Sequence, residues 1–199
     1  MIGVVDYGMG NLRSVEKAFL FLGCEAEVFA DPMDIARYDK LVLPGVGAFG
    51  DAMAALASSG MDEAIRLAIG RKIPFLGICL GMQLLFESGE ENGYHRGLGL
   101  FPGTVSHLPP GRKVPHIGWN SLEIKKSSGL FAGLGSEPYV YFVHSYQALT
   151  EPGLISAVTS YGGSVTAAVE RNNVFGLQFH PEKSGDAGLT ILRNFGGLS

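Results

Sequence analysis

The sequence predicts an α/β fold: a mixed, largely parallel central sheet flanked by helices, with an antiparallel hairpin section in the C-terminal half. Three observations predict it. Short apolar runs alternate with helical patterns through the first half, as a parallel sheet covered on both faces requires. The second half turns to extended segments broken by Pro and Gly and joined by hairpin-type turns. The chain has 199 residues, 46% of them hydrophobic and 17% charged. That is long enough for one sizeable core and short for two, so residues 1–199 are expected to form a single domain.

Each element follows from local pattern. Ile2 to Asp6 (IGVVD) is an apolar strand. Asn11 can cap a helix whose Leu12, Val15, Phe19 and Leu22 share one face, and Gly23 can stop it. Glu25 to Phe29 alternates as a second strand, and Lys40 to Pro44 forms a third that leads into the loop PGVGAFG. Asp51 can cap the next helix, and Met61 to Ile69 continues the helical spacing. Ile73 to Ile78 is a fourth strand, apolar throughout, followed by a helical pattern from Leu80 to Phe86. Leu98 to Leu108, His116 to Ile124 and Tyr139 to Leu149 are extended. Leu154 to Phe179 reads as consecutive antiparallel strands, turned at Tyr161-Gly162-Gly163-Ser164 and at Arg171-Asn172-Asn173-Val174. A helix from Leu189 to Phe195 closes the pattern.

Composition narrows the function. A net charge of −4 gives no reason to expect nucleic acid or an anionic membrane as partner. No apolar run approaches the roughly 18 residues of a membrane span. The start, MIGVVDYG, lacks the basic region and cleavage site of a secretory leader, and two cysteines make no disulfide framework. A reducing cytoplasm is the expected compartment. The 29 glycines point to tight turns and close backbone approaches.

The chemistry centres on GICLGMQ, residues 77 to 83. Cys79 sits where an apolar strand gives way to a helical pattern, and G-x-C-x-G at such a junction is the thiol counterpart of the G-x-S-x-G nucleophile elbow. Side chains at 77 and 81 would collide with the adjoining strand and helix. The helix start favours thiolate, and the Leu80 N–H is placed to stabilise an oxyanion. Cys24, after a helix-ending glycine, reads as an inert core thiol. His180 and Glu182, two apart after a strand in LQFHPEKS, project to the same side of an extended backbone. An imidazole can shuttle the thiol's proton while a carboxylate fixes its tautomer. The remaining histidines, His95, His107, His116 and His144, show no metal-ligand spacing, so no metal and no cofactor are expected. The loop LPGVGAFGD, residues 43 to 51, can offer a second oxyanion donor from Gly45-Val46-Gly47, and it lacks the Lys and Thr of a phosphate-binding P-loop.

Together, GICLGMQ, the His-Pro-Glu triplet and the upstream PGVG loop resemble the class I (triad) glutamine amidotransferases, over essentially the whole chain. More narrowly, VVDYGMGN, LPGVGAFGD, HIGWN (116–120), YFVHSY (141–146) and QFHPEKS are similar to the glutaminase subunits of imidazole glycerol phosphate synthases. The resemblance implies a flavodoxin-like glutaminase architecture and cleavage of glutamine's side-chain amide through a cysteine thioester. It implies Cys79 as nucleophile, His180 as general base and acid, and Glu182 as the orienting carboxylate. Leu80, Val46 and Gly47 would form the oxyanion hole; Gly47, Gln83, His144, Ser145 and Tyr146 would bind glutamine. It also implies a heterodimer with a separate (β/α)₈-barrel cyclase that receives the ammonia, with Asn11, Trp119, Tyr141 and Lys183 at the interface. A free-standing triad glutaminase for another synthase, such as pyridoxal phosphate synthase, is the nearest alternative. A catalytically silent binding subunit and a cysteine hydrolase that releases its product to water are more distant ones.

Overall fold

The structure is a computed structural model and describes residues 1–198. Its centre is an eight-stranded sheet. Four strands come from the first half: β1 (Ile2–Val5), β2 (Ala26–Phe29), β3 (Lys40–Gly45) and β4 (Phe75–Cys79). Two short strands in the middle, β5 (Phe86–Gly89) and β6 (His95–Arg96), precede β7 (Phe101–His107), β8 (His116–Ser121) and β9 (Glu123–Ile124). The last five are β10 (Tyr139–His144), β11 (Tyr146–Leu149), β12 (Ile155–Ser160), β13 (Ser164–Arg171) and β14 (Val174–Leu177). The large sheet runs β2-β1-β3-β4-β14-β13-β12-β9, parallel as far as β14 and antiparallel beyond it. A four-stranded sheet, β11-β7-β5-β6, and a two-stranded ribbon, β10-β8, complete the architecture.

Helices cover both faces of the large sheet, which is why β1, β3 and β4 are apolar in succession rather than in alternation. On one face α2 (Phe49–Ser59) and α3 (Met61–Gly70) contribute Phe49, Leu56, Met61 and Ile65 to one cluster of buried side chains. On the other, α1 (Leu12–Phe21) and α5 (Gly185–Gly196) bring Val15, Phe19, Ile191, Leu192 and Phe195 into a second. No helix among the described residues is long and apolar enough to cross a membrane.

Several expectations change in detail. The residue before the first turn of α2 is Ala48, so Asp51 lies inside that turn rather than capping it. Asn11 does stand at the start of α1, but its side chain makes no capping bond. Gly23 ends that helix with φ of 78°. The helical pattern after Cys79 lasts a single turn, α4 (Leu80–Gln83). The Leu84 and Leu85 carbonyls, which a continuing helix would use internally, instead accept from the Leu98 and Leu100 N–H groups at 2.8 Å each. Phe86 then begins β5, parallel to β7. The extended run 139–149 divides at Ser145, with β10 pairing with β8 and β11 with β7, and 116–124 divides at Leu122. Both hairpin turns lie where the sequence puts them, with left-handed backbone at Gly162 and Asn172.

Candidate active site

Cys79 stands at the carboxyl end of β4 with φ of 55° and ψ of −112°, a strained conformation for a residue with a side chain. Its neighbours explain how the turn closes. A Cβ at Gly81 would fall 1.8 Å from the Leu43 carbonyl oxygen on β3, and one at Gly77 would fall 2.6 Å from the Gly81 carbonyl oxygen. Only glycine lets the one-turn helix sit this tightly on two central strands. Gly45, paired in register with Cys79 across β3 and β4, is similarly confined by the Tyr7 hydroxyl and the Gly81 nitrogen, 2.6 and 2.9 Å from where its Cβ would be.

The β14 strand runs parallel to β4 and delivers His180 to the same end of the sheet. A short turn at Pro181–Lys183 brings Glu182 back, and His180 Nδ1 donates to Glu182 Oε1 at 2.9 Å. Both side chains are buried. The joint is stitched to the ribbon: His180 N–H donates to the Tyr141 carbonyl (3.0 Å), Ser184 Oγ donates to the His180 carbonyl (2.6 Å), and the Tyr141 N–H donates to Ser184 Oγ (2.9 Å). With Nδ1 taken, Nε2 remains buried and without a hydrogen-bond partner among the described residues. Burial alone would lower the His180 pKa, but the Cys79 thiol and the Glu182 carboxylate outweigh it and raise it to about 9. At neutral pH the ring is therefore an imidazolium, the counter-charge that a thiolate at Cys79 requires. The Tyr7 phenol is pushed the other way from ionisation, first by burial and then by Cys79.

Cys79, His180, Leu80, Gln83, Val46, Gly47, His144, Ser145 and Tyr146 line one cleft of about 280 Å³. That lies just below the roughly 300–1,000 Å³ of sites for drug-sized ligands and suits a small polar molecule. Gly47 has φ of 103°, and a Cβ there would meet Met9 at 2.8 Å. Gln83 Nε2 donates to the Tyr146 carbonyl (3.2 Å) and to Gln178 Oε1 (3.0 Å), and Gln178 Nε2 lies 3.9 Å from the Cys79 sulfur. His144 Nδ1 is 2.8 Å from the Tyr146 carbonyl. Its pKa is lowered to about 4, chiefly by burial.

Sequence reasoning missed Glu91, which also lines the cleft and accepts from the Phe49 N–H at 2.8 Å, satisfying the start of α2. The partners are 42 residues apart, so no local signal marks the pair. It also missed Gln178, although its place two residues before His180, directly after a buried strand, was a usable hint. The four residues expected at an interface lie away from the cleft lining. Trp119 and Tyr141 pair across the ribbon with ring centroids 6.0 Å apart. Lys183 is exposed beside Glu182, and Asn11 is half-buried at the start of α1. Ile117, Trp119 and Tyr139, at 58%, 53% and 54% exposure, give the ribbon an apolar outer surface. No three His, Cys, Asp or Glu side chains among the described residues are arranged to hold a metal ion.

Comparison with known proteins agrees with this geometry. The family model for class-I glutamine amidotransferases matches residues 3–196. The chain is 53% identical over 199 residues to the imidazole glycerol phosphate synthase subunit HisH of Caldanaerobacter subterraneus subsp. tengcongensis, covering 100% of this chain and 98% of that one. It is 54% identical over 196 residues to the protein of the same name from Methanothermobacter thermautotrophicus, covering 98% and 97%. Among solved structures, PurLQS from Thermotoga maritima superposes with a TM-score of 0.79 at 21% identity, over 98% of this chain and 96% of that one, a likeness of fold. A nucleophile elbow, a buried His–Glu pair beside it and a match along nearly the whole chain converge on one assignment: this protein belongs to the class-I glutamine amidotransferases.

Proposed function

We infer that the chain is the glutaminase subunit of an imidazole glycerol phosphate synthase. It hydrolyses glutamine to glutamate and ammonia and delivers the ammonia to a separate (β/α)₈-barrel cyclase subunit for histidine biosynthesis in the cytoplasm. The observation that carries the hydrolysis is the unpartnered His180 Nε2, held by Glu182 in the same cleft as Cys79. The choice of synthase rests on full-length relatives that bear that name at more than half identity.

The chemistry runs from the ion pair. The Cys79 thiolate attacks the amide carbon of glutamine, and the carbonyl oxygen takes up negative charge. The Leu80 N–H, with amides of the Val46-Gly47 segment, stabilises that oxyanion, and removing one such donor costs on the order of 10²–10³ in rate. The His180 imidazolium gives its proton to the departing nitrogen, so ammonia leaves and a thioester remains. His180, now neutral, takes one proton from water as the water attacks the thioester. Collapse of that adduct releases glutamate, whose carboxyl proton passes to solvent, and returns the Cys79 thiolate beside the imidazolium. Glu182 holds the ring so that Nε2 serves both transfers. Gln83, Gly47 and the 144–146 segment orient the substrate. The Glu91 carboxylate supplies the negative charge that glutamine's α-ammonium requires.

Ammonia released into neutral water becomes ammonium and is lost as a nucleophile, so a partner must receive it directly. The apolar outer surface of the ribbon, which carries Trp119 and Tyr141 and packs against the turn that holds Lys183, suits a docked subunit. The test is glutamate release from glutamine by the chain alone and with a cognate cyclase plus its nucleotide substrate, with Cys79→Ala as control. Turnover that rises with the cyclase and vanishes in Cys79→Ala is expected. Turnover indifferent to the cyclase would move the reading to a free-standing triad glutaminase, and turnover that survives Cys79→Ala would end the nucleophile assignment.

A further inference from the structure

Behind the cleft, two buried histidines face each other across the ribbon. The β8–β10 register sets His116 opposite His144, and His116 Nδ1 lies 3.0 Å from His144 Nε2. The outer nitrogens each meet an oxygen. His144 Nδ1 is 2.8 Å from the Tyr146 carbonyl, and His116 Nε2 is 2.8 Å from Asn120 Oδ1. Asn120 is in turn oriented by its Nδ2, which donates to the Ser160 carbonyl at 3.1 Å. His116 is fully buried, stacked between Phe142 and Tyr161 with centroids at 4.8 and 3.8 Å. The line runs from the ribbon that carries Trp119 to the carbonyl that also accepts from Gln83.

Counting protons exposes a conflict. Both ends of the line are acceptors, so three contacts need three N–H protons. Two neutral imidazoles carry only two. Burial lowers the pKa of both rings, His144 to about 4, so near neutrality the third proton is absent. One contact must fail. If His144 donates to Tyr146 and His116 donates to His144, then His116 Nε2 faces Asn120 Oδ1 with a lone pair, and the amide must turn away from Ser160. If the protons sit the other way, Asn120 keeps its bond and the Tyr146 carbonyl loses His144, retaining Gln83. Leaving the middle contact unmade sets two bare nitrogens 3.0 Å apart with no other donor at hand. That is the costliest arrangement, because unsatisfied buried polar groups have no compensating water.

We propose that His116 and His144 are positioning residues that form a two-tautomer relay, in which the hydrogen bond to Asn120 on the ribbon competes with the hydrogen bond to the Tyr146 carbonyl in the glutamine cleft. A ligand or partner that draws the Asn120 amide away from His116 thereby fixes the Tyr146 carbonyl. Occupancy of the cleft, in return, releases Asn120, as linkage demands. The titratable groups facing the pair are His180, whose charge bears on His144, and the Tyr161 phenol ring stacked on His116. No carboxylate contributes to either ring's shift.

The idea rests on the glutaminase reading only in calling the cleft a glutamine seat, and the decisive measurement does not need turnover. Nitrogen NMR of imidazole-labelled full-length chain reports which ring nitrogen carries each proton. In the unsubstituted chain His144 is expected to average between its two neutral forms. Asn120→Ala removes the outer acceptor and should drive both rings to the Nδ1–H form. Asn120→Asp supplies a carboxylate that favours the third proton and should make His116 an imidazolium at neutral pH. Where the two tautomers are comparable, Asn120→Ala should also lower the glutamine KM by about two-fold, since affinity scales with the competent fraction. A His144 ring that holds one and the same tautomer in all three chains overturns the relay. Absence of glutamate release in every chain even with the cyclase and its nucleotide substrate present, with the tautomer shifts intact, would instead count against the glutaminase reading alone.

Discussion

A methyl group at Gly81 would sit 1.8 Å from a backbone oxygen of β3, and backbone cannot yield as the end of a flexible side chain can. The nucleophile's positive φ depends on that close approach, since α4 must turn back over Leu43 within one residue of Leu80. Gly81→Ala should therefore destabilise the fold by at least about 3 kcal/mol, at the severe end for a single substitution. Thermal denaturation alongside an exposed control such as Gly135→Ala, where an added Cβ meets nothing within 4 Å, would check it. A Gly81→Ala chain as stable as the control would show that the elbow is not held by this contact. This much was legible in the sequence, because a cysteine between two glycines at a strand end has few other uses. Glu91 and the His116–His144 contact were not legible. Each depends on chain segments dozens of residues apart meeting in register, which no local pattern encodes.

Among the elements, the ribbon β8–β10 and the turn after β14 carry the catalytic histidine between them. Ser184 is the clasp: buried, it donates to the His180 carbonyl and accepts from the Tyr141 N–H. Ser184→Ala breaks both bonds: the half-buried Tyr141 N–H loses its acceptor, while the His180 carbonyl keeps the Lys183 N–H at 3.0 Å. A loss of about 1–3 kcal/mol in stability follows from the desolvation of such an N–H. Because the clasp fixes the ring but does not touch the cleft, kcat should fall while the glutamine KM stays near its starting value. Steady-state kinetics with urea unfolding on the same sample separates the two effects, and an unchanged kcat would remove Ser184 from the positioning of His180. The parallel strands were legible because apolar runs four to six residues long, bounded by turn residues, have one good solution. The run Leu84-Leu85-Phe86 misled because a short apolar stretch fits helix and strand equally. The outcome was decided by N–H groups at Leu98 and Leu100, outside any local window.

For the molecule as a whole, the cleft's histidines set opposite limbs of stability against pH. His180 has a folded pKa of about 9, above the roughly 6.5 of an unfolded histidine. The folded chain therefore binds its proton more tightly. That stabilisation is fully present below pH 6.5 and is lost as pH rises through 9. A gap of this size corresponds to on the order of 3 kcal/mol. His144 does the reverse. Its folded pKa of about 4 means the unfolded chain binds the proton more tightly, so stability is full above pH 6.5 and drains away as pH falls toward 4. The two terms meet near pH 6.5, where stability from this site peaks. Cys79→Ala dissects them: the thiol is the foremost cause raising His180 against burial and does not figure among the causes acting on His144. Urea unfolding from pH 5 to 9.5 should then show an alkaline decline that is shallower in Cys79→Ala than in the unsubstituted chain, with acid limbs that coincide. A stability difference between the two chains that stays flat across that range would mean the thiol and the imidazole do not share a charge, and the ion-pair start of the proposed reaction would fall with it.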